Sequence, residues 1–283
     1  MIKEHFHRKR PTFSIEVFPP KPDSDISVIY DTLDEVSRLQ PDFISVTYGA
    51  GGSTSQNTFA IANYIQNQCH IEALCHLTCI SMKNEMYLRN FLTSLYRGGV
   101  RNILALRGDR PVDMTEEEFN SRFYRYASDL VTDIKKNYDF CIGGACYPEV
   151  HPEATDRNED IRYLKQKVDR GIDFVTTQLF YDNEVFFRFL DEVRKAGIEV
   201  PVLAGLMPVT SYKQIDRIVS LSGTQLEKGF AAEIEKFKDS DEDIKKLSIE
   251  YTKKQMDDLL AHGVNGIHLY SMNKAELAKA IFD

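Results

Sequence analysis

The residues of this chain that could do chemistry are few, and most share one setting, the end of a short apolar run. Thr47-Tyr48 ends one run, His76 with Thr78 another, and Arg107-Gly108-Asp109 a third. Tyr147 closes a further run and leads into Pro148-Glu149-Val150-His151-Pro152-Glu153, while Gln178 and Tyr270 close two more. Glu16 differs, because it lies within its run, Phe13-Ser14-Ile15-Glu16-Val17-Phe18. A carboxylate among apolar neighbours is desolvated, which raises its pKa and favours the protonated form near neutrality. A carboxyl that keeps its proton at neutral pH is what a general acid requires. The competing reading of Glu16 is a buried carboxylate paired with a Lys or Arg. Asp109 likewise reads as a turn aspartate, and His76 alone as a hydrogen-bonded core histidine.

Two other patterns suggest chemistry less specifically. Gly49-Ala-Gly-Gly-Ser-Thr-Ser55 looks like a phosphate cradle, but no Lys follows it and its glycines lack the dinucleotide spacing. A Gly-rich turn with Ser caps accounts for it. His5-Phe6-His7 and the pair Cys75 and Cys79 invite a metal reading. With no Cys-x-x-Cys pair, and with Cys75 inside an apolar run, no structural zinc site is expected.

The elements that must position these residues follow a regular alternation. Phe13–Phe18, Phe43–Thr47, Ile71–Leu77, Asn102–Leu106, Cys141–Tyr147, Phe174–Leu179, Val200–Leu206 and Gly266–Tyr270 are too short for helices. Most are nearly continuously apolar, as strands buried on both faces are. Between them apolar residues recur at helical spacing, as Ile29, Leu33, Val36 and Leu39 do within Ile26–Leu39. The same spacing predicts helices over Ser55–Gln68, Asn84–Arg97, Ala127–Asn137, Asn158–Arg170, Glu184–Lys195, Ser211–Leu221 and Asp241–Ala261. Gly171, Gly197 and Gly263 sit where helix stops belong, and Ser53, Asp182 and Thr210 or Ser211 where starts belong. Eight strands with intervening helices predict a closed (β/α)₈ barrel, occupying 1–283 as one catalytic domain. Active sites of such barrels lie at the C-terminal ends of the strands, which is where the polar residues accumulate. The connection between the seventh and eighth runs is roughly sixty residues, far longer than a loop, and carries an extra helical pattern around Gln225–Phe237.

Composition sets the outer bounds. With 35 Lys+Arg against 43 Asp+Glu, the 283-residue chain has a net charge of −8, which argues against a nucleic-acid partner. No stretch reaches the roughly 18 uninterrupted apolar residues of a membrane span. The basic start runs into Pro11-Thr12 with no apolar core, so no secretory signal is expected. Five Cys, an odd number, suggest free thiols and a cytoplasmic location.

Taken in order, Ser14-Ile-Glu-Val-Phe-Pro-Pro20, Ser45-Val-Thr-Tyr-Gly-Ala50, His76-Leu-Thr-Cys79, Ala105-Leu-Arg-Gly-Asp109, Tyr126-Ala-Ser-Asp-Leu130 and Tyr147-Pro-Glu-Val-His-Pro-Glu-Ala154 resemble the methylenetetrahydrofolate reductase family of one-carbon metabolism. The resemblance runs from about Phe13 to the C-terminus and is to the short bacterial type, without the regulatory domain of eukaryotic members. It implies bound FAD, NADH or NADPH as co-substrate, and a ping-pong reduction of 5,10-methylenetetrahydrofolate to 5-methyltetrahydrofolate, which serves methionine biosynthesis. It implies Glu16 as the acid that opens the folate ring and Asp109 as a carboxylate between flavin and pterin. For FAD it implies Thr47, Tyr48, Ala50, His76, Arg107, Gly108, Asp109, Tyr126, Ala127, Tyr147, His151, Ala154, Asp160 and Lys167; for folate, Gln178, Gln214 and Lys274. It also implies a homo-oligomer. Lys274 stands where the bacterial pattern has Arg, and Ile218 where it has an aromatic that stacks on the nicotinamide. Two rival readings are a folate-binding methyltransferase barrel without flavin and a flavoprotein scaffold without turnover; Glu16 and Asp109 speak against the second.

Overall fold

The computed structural model describes residues 1–21, 24–48, 54–110 and 114–282. Parallel strands β1 (Thr12–Val17), β2 (Phe43–Val46), β3 (Glu72–Thr78), β4 (Asn102–Leu106), β5 (Cys141–Cys146), β6 (Phe174–Thr177), β7 (Val202–Leu206) and β8 (Gly266–Tyr270) close into a barrel in chain order. The seam is sealed by β1 against β8, from Thr12 opposite Gly266 to Glu16 opposite Tyr270. Every strand coincides with a predicted run, the ends differing by a residue or two. The helices are α1 (Ser27–Ser37), α2 (Thr54–Asn67), α3 (Glu85–Arg97), α4 (Glu116–Asn120), α5 (Ala127–Asn137), α6 (Arg157–Asp169), α7 (Asn183–Lys195), α8 (Tyr212–Ser222), α9 (Lys228–Lys236), α10 (Asp241–Ala261) and α11 (Ala275–Phe282). Gly171, Gly197 and Gly263 have φ of 114°, 74° and 75°, the left-handed turn that stops a helix. Asp182 caps α7 by accepting from the Glu184 amide at 2.9 Å. Ser211, not Thr210, is the N-cap of α8; Ser53 and the run Gly49–Ser53 lie outside the described residues. Two helices, α4 and α11, and a 3₁₀ turn over Ile2–His7 were not anticipated from the sequence. Among the described residues no helix is long and apolar enough to cross a membrane, and all five cysteines are unpaired thiols.

Strand alternation divides the core in two. Ile15, Val17, Ile44, Val46, Ala73, Cys75 and their counterparts face outward and pack under the helices. Phe43, Leu74, Leu104, Cys141, Phe174 and Leu203 face inward and fill the lower barrel together with Ile2. The N-terminal turn closes that end, with Phe6 5.3 Å from the Phe174 ring. One step further up the inner face the residues turn polar: Ser45 follows Phe43, His76 follows Leu74 and Thr176 follows Phe174. The apolar floor therefore leaves one polar layer, and it lies at the strand ends.

The N-terminal turn is moored by Asp42, whose side chain is 3% exposed. It is joined by His5 at 3.1 Å, Arg8 at 2.9 Å, Arg10 at 2.6 Å and the Phe13 amide at 2.9 Å. Burial pushes the Asp42 carboxyl up, but the His5, Arg10 and Phe13 donors and the Arg10 charge outweigh it and hold it well below the carboxylate range. A folded-state pKa below the unfolded value stabilises at pH above about 4 and loses that stabilisation as pH falls toward the folded value. Arg8 and Arg10 are half exposed, so solvent screens part of the gain. Asp42→Asn should then cost about 1–3 kcal/mol at pH 7, with the gap to the parent narrowing below pH 4. Thermal melts at pH 7 and pH 3 check this; equal melting temperatures at pH 7 contradict it.

Candidate active site

Glu16 stands at the centre of the polar layer, its side chain 18% exposed. Its Oε2 lies 3.4 Å from His76 Nε2 and 3.5 Å from His268 Nε2, and Ser45 Oγ donates to it at 3.5 Å. Strand register explains the grouping, since Glu16 pairs with Ser45 on one side and Tyr270 on the other. Burial pushes Glu16 up, but the His268 hydrogen bond, the charges of His76 and His268, and the Ser45 hydroxyl together pull it below its usual range. This corrects the sequence expectation of a raised pKa. Ile15 and Val17, its apolar sequence neighbours, point the other way into the helical shell, so the groups that surround the carboxylate come from other strands and are polar. Among the described residues no Lys or Arg of the competing reading pairs with it; its partners are two imidazoles and a hydroxyl.

Burial drives His76 down to about 4, so it is neutral at pH 7. Its Nε2 is buried without an aligned hydrogen bond, although it is within ion-pair distance of Glu16. The hydrogen-bonded core histidine suggested by sequence is therefore also corrected. His268 was missed altogether. It is 1% exposed, holds Ser14 Oγ at 2.7 Å through Nδ1 and meets the Tyr270 ring edge-on at 5.1 Å. Period-two reading of Gly266, His268 and Tyr270 places all three on one face and was the available signal. Tyr270 donates to the Thr177 carbonyl at 2.7 Å. It fits because β7 carries Gly205, where a Cβ would sit 2.8 Å from the ring and 2.4 Å from that carbonyl. The loop after β8 ties down the end of β1. Asn273 brackets Phe18 with bonds of 2.9 and 2.8 Å, and Ser271 donates to the Glu16 carbonyl at 3.2 Å.

A second feature opens beside this layer. At the end of β4, Gly108 has φ of 84°, and a Cβ there would lie 2.6 Å from Ile80 Cγ2, so the turn between Arg107 and Asp109 admits only glycine. Arg107 points into a cleft of about 850 Å³ and forks onto Glu153 with two contacts of 2.6 Å. Asp109 is exposed; after burial, its charge is the next cause that pushes the Tyr147 phenol up to about 12. The cleft is lined by Arg107, Arg110, Arg122, Arg125 and Lys167 among its cations, and by Tyr126, Ala127, Tyr147, His151, Ala154 and Asp160. Tyr147 and His151 meet edge-on at 4.6 Å. The 151–154 turn is shaped by the His151 amide on Asp160 at 3.1 Å and the Ala154 amide on the His151 carbonyl at 2.9 Å. Burial pushes Asp160 up and both Lys167 and His151 down. Lys167 donates to the Ala145 carbonyl, which fixes a half-buried cation on the cleft wall. Its volume suits a cofactor, and five cations beside aromatic rings suit the two phosphates and the rings of FAD.

Eight of the residues implied for the cofactor line this cleft. Thr47, Tyr48, His76, Gly108 and Asp109 do not, and Ala50 lies outside the described residues. Thr47 continues from β2, its amide on the Val17 carbonyl at 3.0 Å; Tyr48 meets Phe91 edge-on at 5.8 Å. Of the folate residues, Gln178 is half buried after β6, with Oε1 accepting from the Leu179 amide at 2.9 Å. Gln214 and Lys274 converge on Thr210, which donates to Gln214 at 2.9 Å and accepts from Lys274 at 3.0 Å. Ile218 is 7% exposed and packs with Leu179, Tyr181, Met207 and Val209 in the core of the β7–β8 insertion. Arg110, Arg122 and Arg125 were not foreseen; no spacing in the sequence marks them.

Fold and site define a (β/α)₈ barrel enzyme class in which a half-buried carboxylate neighbours a cation-lined cleft at the strand ends. Residues 1–283 match the family model described as Methylenetetrahydrofolate reductase. The chain is 36% identical over 268 residues to the 5,10-methylenetetrahydrofolate reductase of Escherichia coli, covering 95% of this chain and 88% of that one. It is 38% identical over 279 residues to methylenetetrahydrofolate reductase 1 of Schizosaccharomyces pombe, covering 98% of this chain and 46% of the relative. It spans about half the length of this relative and of the matched plant proteins. Among solved structures, a Clostridium thermocellum protein that binds two copies of 5-methyl-5,6,7,8-tetrahydrofolic acid matches with a TM-score of 0.69 at 19% identity, over 99% of this chain and 98% of that one; that likeness bears on the fold. The chain belongs to the methylenetetrahydrofolate reductase family.

Proposed function

We propose that this protein reduces 5,10-methylenetetrahydrofolate to 5-methyltetrahydrofolate with NADH or NADPH, using non-covalent FAD and working as one catalytic barrel. The observation that carries the reading is the half-buried Glu16 at the mouth of a barrel whose neighbouring cleft suits a dinucleotide. FAD, when bound, supplies hydride transfer between nicotinamide and folate, so the two substrates take turns at one site.

The remaining work falls to side chains. Arg107 and Lys167 offer fixed positive charge to the phosphates, and Tyr126-Ala127 present the N-terminus of α5, where backbone amides favour an anion. Tyr147 and His151 wall the cleft. Glu16 gives its proton to the folate nitrogen that leaves when the five-membered ring opens to a 5-iminium cation. In the open mouth Glu16 keeps some contact with water; a pterin seated there removes it and adds to the upward push of burial on the carboxyl. Asp109 stabilises the cation by charge. Gln178 and Gln214 supply folate-side amides. Lys274 offers the folate carboxylate a single ammonium rather than a guanidinium fork. Ile218, buried as it is, provides no stacking surface for the nicotinamide. The same reading places the protein in the cytoplasm as a homo-oligomer.

The test is the chromophore. Heat-released cofactor from purified protein, separated by chromatography, should be FAD. FMN overturns the proposal; no bound flavin after reconstitution with FAD overturns it too, and leaves the flavin-free methyltransferase barrel standing.

A further inference from the structure

The general-acid reading leaves a question about where the proton waits, because everything around Glu16 except its burial favours the carboxylate. The β1–β8 seam holds an answer in three atoms. Ser14 Oγ donates to the Ile267 carbonyl at 3.2 Å. A hydroxyl carries one hydrogen, so toward His268 Nδ1, 2.7 Å away, the same oxygen accepts. In that arrangement Nδ1 carries the hydrogen of the short contact. The other ring nitrogen, Nε2, faces Glu16 Oε2 at 3.5 Å. A bare nitrogen facing an ionised oxygen is repulsive; one proton between them removes the repulsion, whichever of the two atoms holds it.

We propose that His268, locked in its Nδ1–H form by Ser14, is the positioning residue that keeps one proton between its Nε2 and Glu16, loading the acid before folate binds. The inference rests on the reading of Glu16 as the acid. The other groups facing Glu16 do not compete for the role. His76 Nε2 lies as close to Glu16, at 3.4 Å, but burial drives His76 down to about 4, so it holds no additional proton at pH 7. Tyr270 spends its hydrogen on the Thr177 carbonyl, and Ser45 is a neutral hydroxyl. When the folate ring opens, the carbon–nitrogen bond breaks, its electron pair takes the proton from Glu16, and carboxylate and neutral His268 remain; water returns the proton after product leaves.

Two measurements test this. Nitrogen-15 NMR of the histidine rings in the substrate-free enzyme should show one buried ring, absent in His268→Asn, that is protonated at Nδ1 at pH 7 and whose Nε2 signal moves in Glu16→Gln. Ser14→Ala should release its tautomer. A wild-type His268 protonated only at Nε2 overturns the proposal. In stopped-flow, the alkaline limb of the folate half-reaction should move at least one pH unit lower in His268→Asn, a loss of roughly tenfold above the limb, and in the same direction in Ser14→Ala should the first variant not fold. Limbs that stay in place in the folded variants overturn it. A wild-type protein that never reduces folate defeats the acid reading instead, while the NMR result still decides the tautomer.

Discussion

Glu16→Gln is expected to leave flavin reduction by NADH or NADPH near its normal rate while reoxidation by methylenetetrahydrofolate slows by about 10²–10⁴-fold, the usual worth of general-acid assistance. Gln keeps the size, an oxygen that can accept from Ser45 and an amide that can face His268, so the packing of the polar layer survives; what it lacks is a proton to deliver. Hydride transfer from the nicotinamide opens no ring and asks for no acid. If Glu16 served only to pair with His76 and His268, 3.4 and 3.5 Å away, the variant should melt earlier and both half-reactions should suffer together. Anaerobic stopped-flow of each half-reaction, with a melting curve beside it, separates the two outcomes. Reoxidation by folate at the wild-type rate ends the assignment.

Asp109→Asn should also divide the half-reactions, though less sharply. Asp109 is exposed and projects from the turn that Gly108 makes possible, so it acts on a cation by charge across partly screened space. Loss of one well-placed charge or donor in a closed site costs about 10²–10³-fold; solvent exposure reduces that to roughly 10–100-fold here. The folate step should carry that loss, with flavin reduction changed little. Equal slowing of both steps would mean that Asp109 only holds the flavin in place.

The barrel was legible because strands buried on both faces write themselves as short apolar runs, and the polar residues at their ends follow from the fold. Elements without a periodic signature were not: α4 has five residues and α11 two turns, too short for a 3.6-residue pattern to register. The site divides along the same line. Arg107, Tyr147 and His151 sit where local sequence puts them, at strand ends. The surroundings of Glu16 depend on contacts as distant as Ser14 with His268, 254 residues apart, which no local window contains. That is why Glu16 falls within its strand as the sequence predicts while its electrostatics do not follow from its apolar sequence neighbours.

The central claim is that one site passes a hydride from nicotinamide to methylenetetrahydrofolate through FAD. Its most direct test is an anaerobic absorption titration of the wild-type protein. Addition of NADH or NADPH should bleach the flavin band, and subsequent methylenetetrahydrofolate should restore it while forming 5-methyltetrahydrofolate in equal amount. A flavin that bleaches and stays bleached in the presence of folate, or a protein that binds folate with no flavin band at all, contradicts the account.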